Sequence, residues 1–66
     1  MFKTRLKELR EERNLSQTQL AKEIGVNSRT INGYELGRRQ PDYDTLKKLC
    51  DFFAVTSDYI LGFTDI

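Results

Sequence analysis

The sequence lacks the residues from which most catalytic and metal sites are built. Its 66 residues contain no histidine and no tryptophan, and they contain one cysteine, Cys50, and one proline, Pro41. One cysteine without histidine forms neither an intramolecular disulfide nor a zinc site. No cysteine–histidine pair or glycine-rich phosphate loop is present, and Asp42 and Asp44 are better explained as helix-capping residues. We therefore expect no enzyme activity, no metal and no cofactor.

Long apolar runs are missing as well. No stretch approaches the roughly 18 consecutive apolar residues of a membrane-spanning helix, so we expect no membrane segment. A signal-peptide pattern is also absent, and a lone cysteine is typical of a reducing compartment, which predicts a cytoplasmic protein. A chain this short forms one domain, whose core buries only about 60% of the unfolded surface. Helix packing and a partner chain are the remaining sources of stability.

Charge is nearly balanced overall but unevenly distributed. The net charge is +1, yet residues 1–40 carry nine basic and five acidic side chains, whereas residues 41–66 carry two basic and five acidic ones. The N-terminal part is therefore at +4 and the C-terminal part at −3. This asymmetry is compatible with a nucleic-acid surface on the N-terminal part, although charged residues commonly serve only to solvate a surface.

Apolar residues recur at helical spacing in five short segments, and no strand pattern is present. The first helix is predicted over residues 3–13. Each later helix follows a residue whose side chain can cap free N–H groups, and these are Ser16, Asn27, Asp42 and Thr56. Helix 2 is predicted to end at Ile24 and helix 3 near Gly37. The predicted inward residues of the last four helices are Leu20, Ala21, Ile24, Ile31, Tyr34, Leu46, Leu49, Cys50, Phe53, Tyr59, Ile60 and Leu61. The expected fold is all-α, with five helices around one core.

The segment from Gln17 to Leu36 has the pattern of a helix-turn-helix formed by helices 2 and 3. Two helices that cross at about 90–120° over a short turn leave little room at their closest approach. Ala21 is small enough for that place, and Gly25 can adopt the positive φ angle that the turn requires. The apolar residues that bury the seam are Leu20, Ile24, Val26, Ile31 and Tyr34. The alternative is an ordinary helical hairpin without a role in DNA binding.

Over Leu6 to Gly62, the chain resembles the XRE family of Cro/repressor-type transcription factors. The resemblance is carried by Leu15-Ser16-Gln17, Leu20-Ala21, Gly25-Val26, Ile31, Tyr34-Glu35, Gly37-Arg38, Pro41, Leu46, Leu49 and Asp58-Tyr59-Ile60-Leu61-Gly62. It implies a five-helix, lambda-repressor-like DNA-binding domain whose members bind operators as homodimers through helix 3. The last residues are similar to the point where longer phage-type repressors pass into a linker. Residues 1–66 are therefore interpreted as a single domain, compatible with the N-terminal fragment of a longer repressor.

In this docking geometry, the N-terminal residues of helix 3 face base edges. The candidate base contacts are Asn27, Ser28, Arg29, Asn32 and Gly33. Arg29 suits a bidentate contact to guanine, and the two asparagines suit adenine. Asn27 is equally compatible with a capping role alone, and Arg29 with a phosphate contact. Gly33 departs from family members that carry a long side chain there, so it either allows closer docking, admits a thymine methyl, or reads no base.

Phosphate contacts are expected from the N-terminus of helix 2 and from the flanks of helix 3. The candidates are Gln17, Thr18, Gln19, Thr30, Arg38, Arg39 and Tyr43. Arg38 and Arg39 are alternatively a solvated pair. The resemblance further implies that Arg10 and Glu35 form a pair that orients helix 3, and the alternative is two unrelated surface charges.

The sequence therefore predicts a transcriptional regulator that binds double-stranded DNA, with repression at an inverted-repeat operator by a homodimer as the leading interpretation. One alternative is an antitoxin-type DNA-binding protein whose main partner is a toxin. Another is a protein-interaction module that uses an apolar patch of Phe52, Phe63 and Ile66. That patch is alternatively a dimer surface, or is partly buried under the C-terminal tail. Cys50 is expected in the core, and no small-molecule cofactor is expected as a partner.

Overall fold

The computed structural model describes all of residues 1–66, and its five α-helices are joined by short turns. The helices are α1 (Phe2–Glu12), α2 (Gln17–Ile24), α3 (Ser28–Glu35), α4 (Tyr43–Phe53) and α5 (Ser57–Leu61). No strand is present, so the all-α prediction is confirmed. The longest helices have 11 residues, which is too short for a helix that crosses a bilayer.

Local capping bonds explain why the helices begin where they do. The Oγ atom of Ser16 accepts a hydrogen bond from the Gln19 backbone N–H at 3.0 Å, and the Gln19 carbonyl oxygen Oε1 accepts one from the Ser16 backbone N–H at 2.7 Å. Asn27, Asp42 and Thr56 each accept a bond from the backbone N–H three residues later. Because a cap supplies partners for N–H groups that have none within the helix, these four residues fix the starts of α2 to α5.

The bounds of two helices differ from expectation, and a third helix ends at an unusual residue. Helix α1 begins and ends one residue before the predicted 3–13 range. Helix α3 ends at Glu35 rather than near Gly37, because the N–H groups of residues 38 and 39 both fold back onto the Gly33 carbonyl oxygen. Helix α4 ends at Phe53, and its C-cap residue Ala54 has φ +57°. Alanine rarely adopts this left-handed conformation, so its position had no sequence signal.

The core is one cluster shared by all five helices. Its ten buried side chains are Leu6, Leu20, Ala21, Ile24, Ile31, Tyr34, Leu49, Cys50, Phe53 and Ile60. Leu46 and Tyr59 are only half-buried, and Leu61, which was predicted to face inward, is exposed. Helix α5 has only five residues, so only Ile60 reaches the core from it.

The seam between α2 and α3 has the predicted construction. Ala21 is 2% exposed, and its carbonyl oxygen accepts hydrogen bonds from the N–H groups of Gly25 and Val26 at 2.8 and 3.0 Å. Gly25 has φ +84°, a conformation that glycine adopts without a Cβ clash. The turn therefore holds α3 across α2 with Ile31 and Tyr34 on the buried side.

A buried ion pair ties α1 to the end of α3. The Nε and Nη2 atoms of Arg10 donate to the two carboxylate oxygens of Glu35 at 2.7 and 2.9 Å, and Nη1 donates to the Leu15 carbonyl oxygen at 2.7 Å. The Arg10 and Glu35 side chains are 11% and 4% exposed. The hydrogen bonds to Glu35 raise the pKa of Arg10 above its ordinary value, so the guanidinium is charged at every accessible pH.

A second arginine fastens the chain terminus to α1. Arg5 donates from Nη1 to the carbonyl oxygens of Tyr59 and Thr64, and from Nη2 to Asp65 at 3.1 Å. Its guanidinium carbon lies 4.3 Å from the centre of the Tyr59 ring. These contacts join the C-terminal end of the chain to α1, and no sequence pattern indicates them because the partners lie more than 50 residues apart.

The Arg10–Glu35 ion pair should contribute to the stability of the fold. Because each partner is buried, Arg10→Met or Glu35→Leu alone should leave one unpaired charge and lower the free energy of unfolding by about 3 kcal/mol. The double variant should lose less than either single variant, because no buried charge remains. Urea unfolding of the four proteins measures this difference.

The exposed pair Lys47–Asp51, with N and O atoms 2.9 Å apart, is the matched control. Replacing either of its residues by alanine should change the free energy of unfolding by less than about 0.5 kcal/mol. Losses at Arg10 and Glu35 that simply add in the double variant would contradict a coupled buried pair.

A further prediction concerns Cys50. Its thiol is buried, and burial raises its pKa because the thiolate would lose hydration. The native protein should therefore react slowly with a thiol-specific disulfide reagent at pH 8, and reaction should become rapid in urea. Rapid labelling of the native protein, at the rate seen in urea, would show that the thiol is accessible.

Candidate nucleic-acid interface

Helix α3 exposes one face between the turn after α2 and the loop before α4. Ile31 and Tyr34 lie on its buried side, and the 100° rotation per residue places Arg29 on the opposite side, with Asn32 beside it. Both of these side chains are exposed. The surface centred on Arg29 and Asn32 is called the outer face of α3 below.

The candidate base contacts occupy this surface unequally. Arg29 is exposed and belongs to none of the ion pairs of the structure, so its guanidinium donors are free. Ser28 is half-buried. The Oδ1 atom of Asn27 already accepts from the Thr30 N–H at 3.0 Å and from the Thr30 hydroxyl at 3.2 Å. A bidentate contact to adenine needs that oxygen, so the geometry favours the capping role for Asn27.

Asn32 is oriented by a neighbour that the sequence did not connect to it. The Nε2 atom of Gln17 donates to Oδ1 of Asn32 at 3.3 Å and to Oε1 of Glu35 at 3.1 Å. The amide therefore links the buried Arg10–Glu35 pair to the outer face of α3. The Asn32 oxygen keeps one lone pair and its Nδ2 keeps both hydrogens, which is what a bidentate adenine contact uses.

The same bonds occupy the Gln17 side chain, which is also a candidate phosphate ligand. Without DNA, its amide nitrogen donates to Asn32 and Glu35. The backbone N–H groups of Gln17 and Thr18 precede the capped N–H of Gln19, so they have no intrahelical acceptor. Any anion contact at this helix end thus falls to the backbone and to Thr18 and Gln19, both exposed.

Gly33 was a candidate base contact, with the alternative that it reads no base. The structure shows it buried. The covering group is the side chain of Arg39, whose Nη1 donates to the hydroxyl oxygen of Thr30 at 3.4 Å. The Arg39 side chain therefore lies across α3 at the surface, and Arg38, Arg39 and Tyr43 are all exposed.

The charge of this surface is positive. Arg29, Arg38 and Arg39 have no acidic partner, because the three ion pairs of the structure involve Arg5, Arg10 and Lys47. Glu35 is the only acidic residue of α3, and Arg10 neutralises it. Three free guanidinium groups on one side of a small domain can bind phosphate oxygens or guanine edges.

The predicted apolar patch does not form as expected. Phe52 is half-buried, stacked edge-on against Phe53 at 5.0 Å, and covered by the Arg13 guanidinium at 4.9 Å from its ring centre. Part of its cover is thus Arg13, the residue that follows α1. Phe63 and Ile66 are 79% and 95% exposed. No group of three or more His, Cys, Asp or Glu side chains is placed to hold a metal ion.

Comparison with known proteins agrees with this geometry. The sequence profile of the helix-turn-helix family matches residues 6–60. The cryptic phage CTXphi transcriptional repressor RstR of Vibrio cholerae is 40% identical over 83% of this chain and 50% of its own length. The HTH-type transcriptional activator BcrR of Enterococcus faecalis is 38% identical over 92% of this chain and 30% of its own. The chain thus spans half or less of these two relatives.

A solved structure has the same arrangement of helices. The crystal structure of a transcriptional regulator from Listeria innocua superposes with a TM-score of 0.90 at 30% identity, over 97% of this chain and 60% of the other. The family match covers more than four-fifths of the 66 residues and includes the whole Gln17–Leu36 segment. The chain therefore belongs to the helix-turn-helix family, of the XRE type.

Proposed function

We propose that this chain is the DNA-binding domain of a transcriptional regulator and that α3 binds in the major groove of a specific operator. The observation that carries the proposal is the outer face of α3, where Arg29 is unpaired and Asn32 is oriented by Gln17. An α-helix fits the major groove, and its exposed polar side chains then meet base edges. Arg29 would read guanine and Asn32 adenine.

Phosphate contacts would fix the orientation of the domain on the duplex. The N-terminus of α2 supplies two free N–H groups together with Thr18 and Gln19. The Gln19 carbonyl oxygen is used in the capping box, which leaves its NH₂ group as a donor. On the other side of α3, Arg38 and Tyr43 are exposed. Contacts on both sides would hold α3 in the groove without reading sequence.

The proposed assembly is a homodimer on an inverted repeat. The domain measures 28 × 23 × 20 Å, so two copies side by side would place their α3 helices about one DNA turn, or roughly 34 Å, apart. One domain covers a single half-site. A two-fold symmetric dimer covers both half-sites, which doubles the number of base pairs that are read. We propose repression as the outcome, by analogy with the phage repressor of similar sequence; a regulator bound over a promoter excludes polymerase.

Selection from a random duplex pool tests this function. We expect an enriched inverted repeat whose half-sites are about 10 base pairs apart, centre to centre. Affinity should fall steeply with salt because phosphate contacts release counterions. A pool without an enriched motif would contradict sequence-specific binding. No binding to any duplex at low salt would instead favour a protein-interaction module.

Replacing Arg29 tests the base-reading role of α3. Arg29→Ala should weaken operator binding by about 1–3 kcal/mol and remove the preference at one base pair of each half-site. Competition titrations with operators substituted at single positions measure both effects. Lys48→Ala, on α4 and outside the proposed surface, is the control and should leave affinity and preference unchanged. Equal weakening on every sequence would identify Arg29 as a phosphate ligand.

A further inference from the structure

Gly33 borders the outer face of α3 on the Arg29 side. It lies four residues after Arg29, and residues with that spacing stack on the same side of a helix. The position nevertheless carries no side chain, and it is buried. Glycine is a poor helix former, so a glycine in the middle of a short helix calls for a packing reason.

The side chain of Arg39 fills the space above Gly33. A Cβ atom added at Gly33 would lie 2.9 Å from Cδ and 3.0 Å from Cγ of Arg39, closer than carbon atoms can pack. The absence of a Cβ is therefore what allows the aliphatic part of Arg39 to lie flat across the helix. The backbone supports this arrangement, because the N–H groups of Arg38 and Arg39 donate to the Gly33 carbonyl oxygen at 2.9 and 3.2 Å.

The direction of Arg39 follows from these contacts. The chain turns back after α3 at Gly37, which has φ +76°, so the Arg39 side chain runs toward the N-terminal half of α3. Its Nη1 donates to the hydroxyl oxygen of Thr30 at 3.4 Å, one residue from Arg29. The guanidinium thus lies at Thr30, and the stem that leads to it crosses Gly33.

The guanidinium of Arg39 is also free to bind. It pairs with no carboxylate, and the bond to Thr30 uses one of its five N–H donors. The remaining donors include an edge that matches the O6 and N7 acceptors of guanine. An arginine whose stem is already packed against a helix loses less conformational freedom on binding than an extended one.

We propose that Arg39 reads a guanine in the major groove and that Gly33 is a positioning residue that places it there. The base pair that a side chain at position 33 would contact is read instead by an arginine from the following loop. This inference rests on the proposed function, because it requires α3 to bind in the groove. It changes Arg39 from a candidate phosphate ligand into a specificity-determining residue.

Operator selection with a set of variants tests the proposal. Arg39→Ala should remove the preference for guanine at one position of each half-site, with a loss of about tenfold to a hundredfold on the wild-type operator. Gly33→Ala should remove the same preference, because its methyl group displaces the Arg39 stem. Since alanine favours the helix and the displaced side chain is flexible, thermal unfolding should show Gly33→Ala at least as stable as the wild type.

Arg38→Ala is the matched control for charge. It removes the same charge from the neighbouring position and should weaken all sequences to a similar extent, with the base preference unchanged. Arg39→Lys distinguishes geometry from charge, because lysine keeps the charge but lacks the planar fork. Arg39→Lys should lose the guanine preference, as Arg39→Ala does, but its affinity should depend on salt as that of the wild type does.

Other outcomes would overturn the proposal in identifiable ways. Arg39 is a phosphate ligand if Arg39→Ala weakens binding to every sequence equally and reduces the slope of log affinity against log salt concentration by about one. If Arg39→Ala loses the guanine preference but Gly33→Ala keeps it, Gly33 does not position the arginine. If the wild-type protein itself selects no motif, the proposed function fails, and that result is distinct from both.

Discussion

The bidentate ion pair between Arg10 and Glu35 sets the position of the surface on which the proposed function depends. Both side chains are largely shielded from water, so each stabilises the charge of the other, and the bidentate geometry holds α1 and α3 in a defined relative orientation. Gln17 donates a hydrogen bond to the same carboxylate and a second one to the exposed side chain of Asn32. The polar network thus begins in the interior and ends at a side chain that faces solvent.

The rest of the domain is consistent with a small chain without disulfide or metal support. Only ten side chains of the core are buried, so the helix ends and the inter-helix bonds matter more than in a larger protein. Four capping residues fix the helix starts, and Arg5 and Arg10 join helices that the core alone holds loosely. The arginines fall into two groups, since Arg5 and Arg10 join separate parts of the fold whereas Arg29, Arg38 and Arg39 have no acidic partner.

Gly33 shows how local and tertiary requirements conflict at a functional surface. Helix propensity favours almost any other residue at this position, and the sequence could only mark it as a departure from related proteins. The structure supplies a reason in the Arg39 side chain that covers it. The same arrangement explains why α3 ends earlier than predicted, because the N–H groups of residues 38 and 39 bond to the Gly33 carbonyl oxygen.

The sequence by itself determined the five helices, their capped starts, the Gly25 turn and most of the core. These features depend on apolar periodicity and on bonds between residues three or four apart, so they are visible along the chain. Only the tertiary structure decided where the polar side chains point: Gln17 toward Asn32 and Glu35, Arg39 over Gly33, and Arg13 over Phe52. The partners in those contacts lie 6 to 39 residues apart, and long side chains have many rotamers of similar energy. Packing between helices selects among those rotamers, and no sequence pattern encodes that choice.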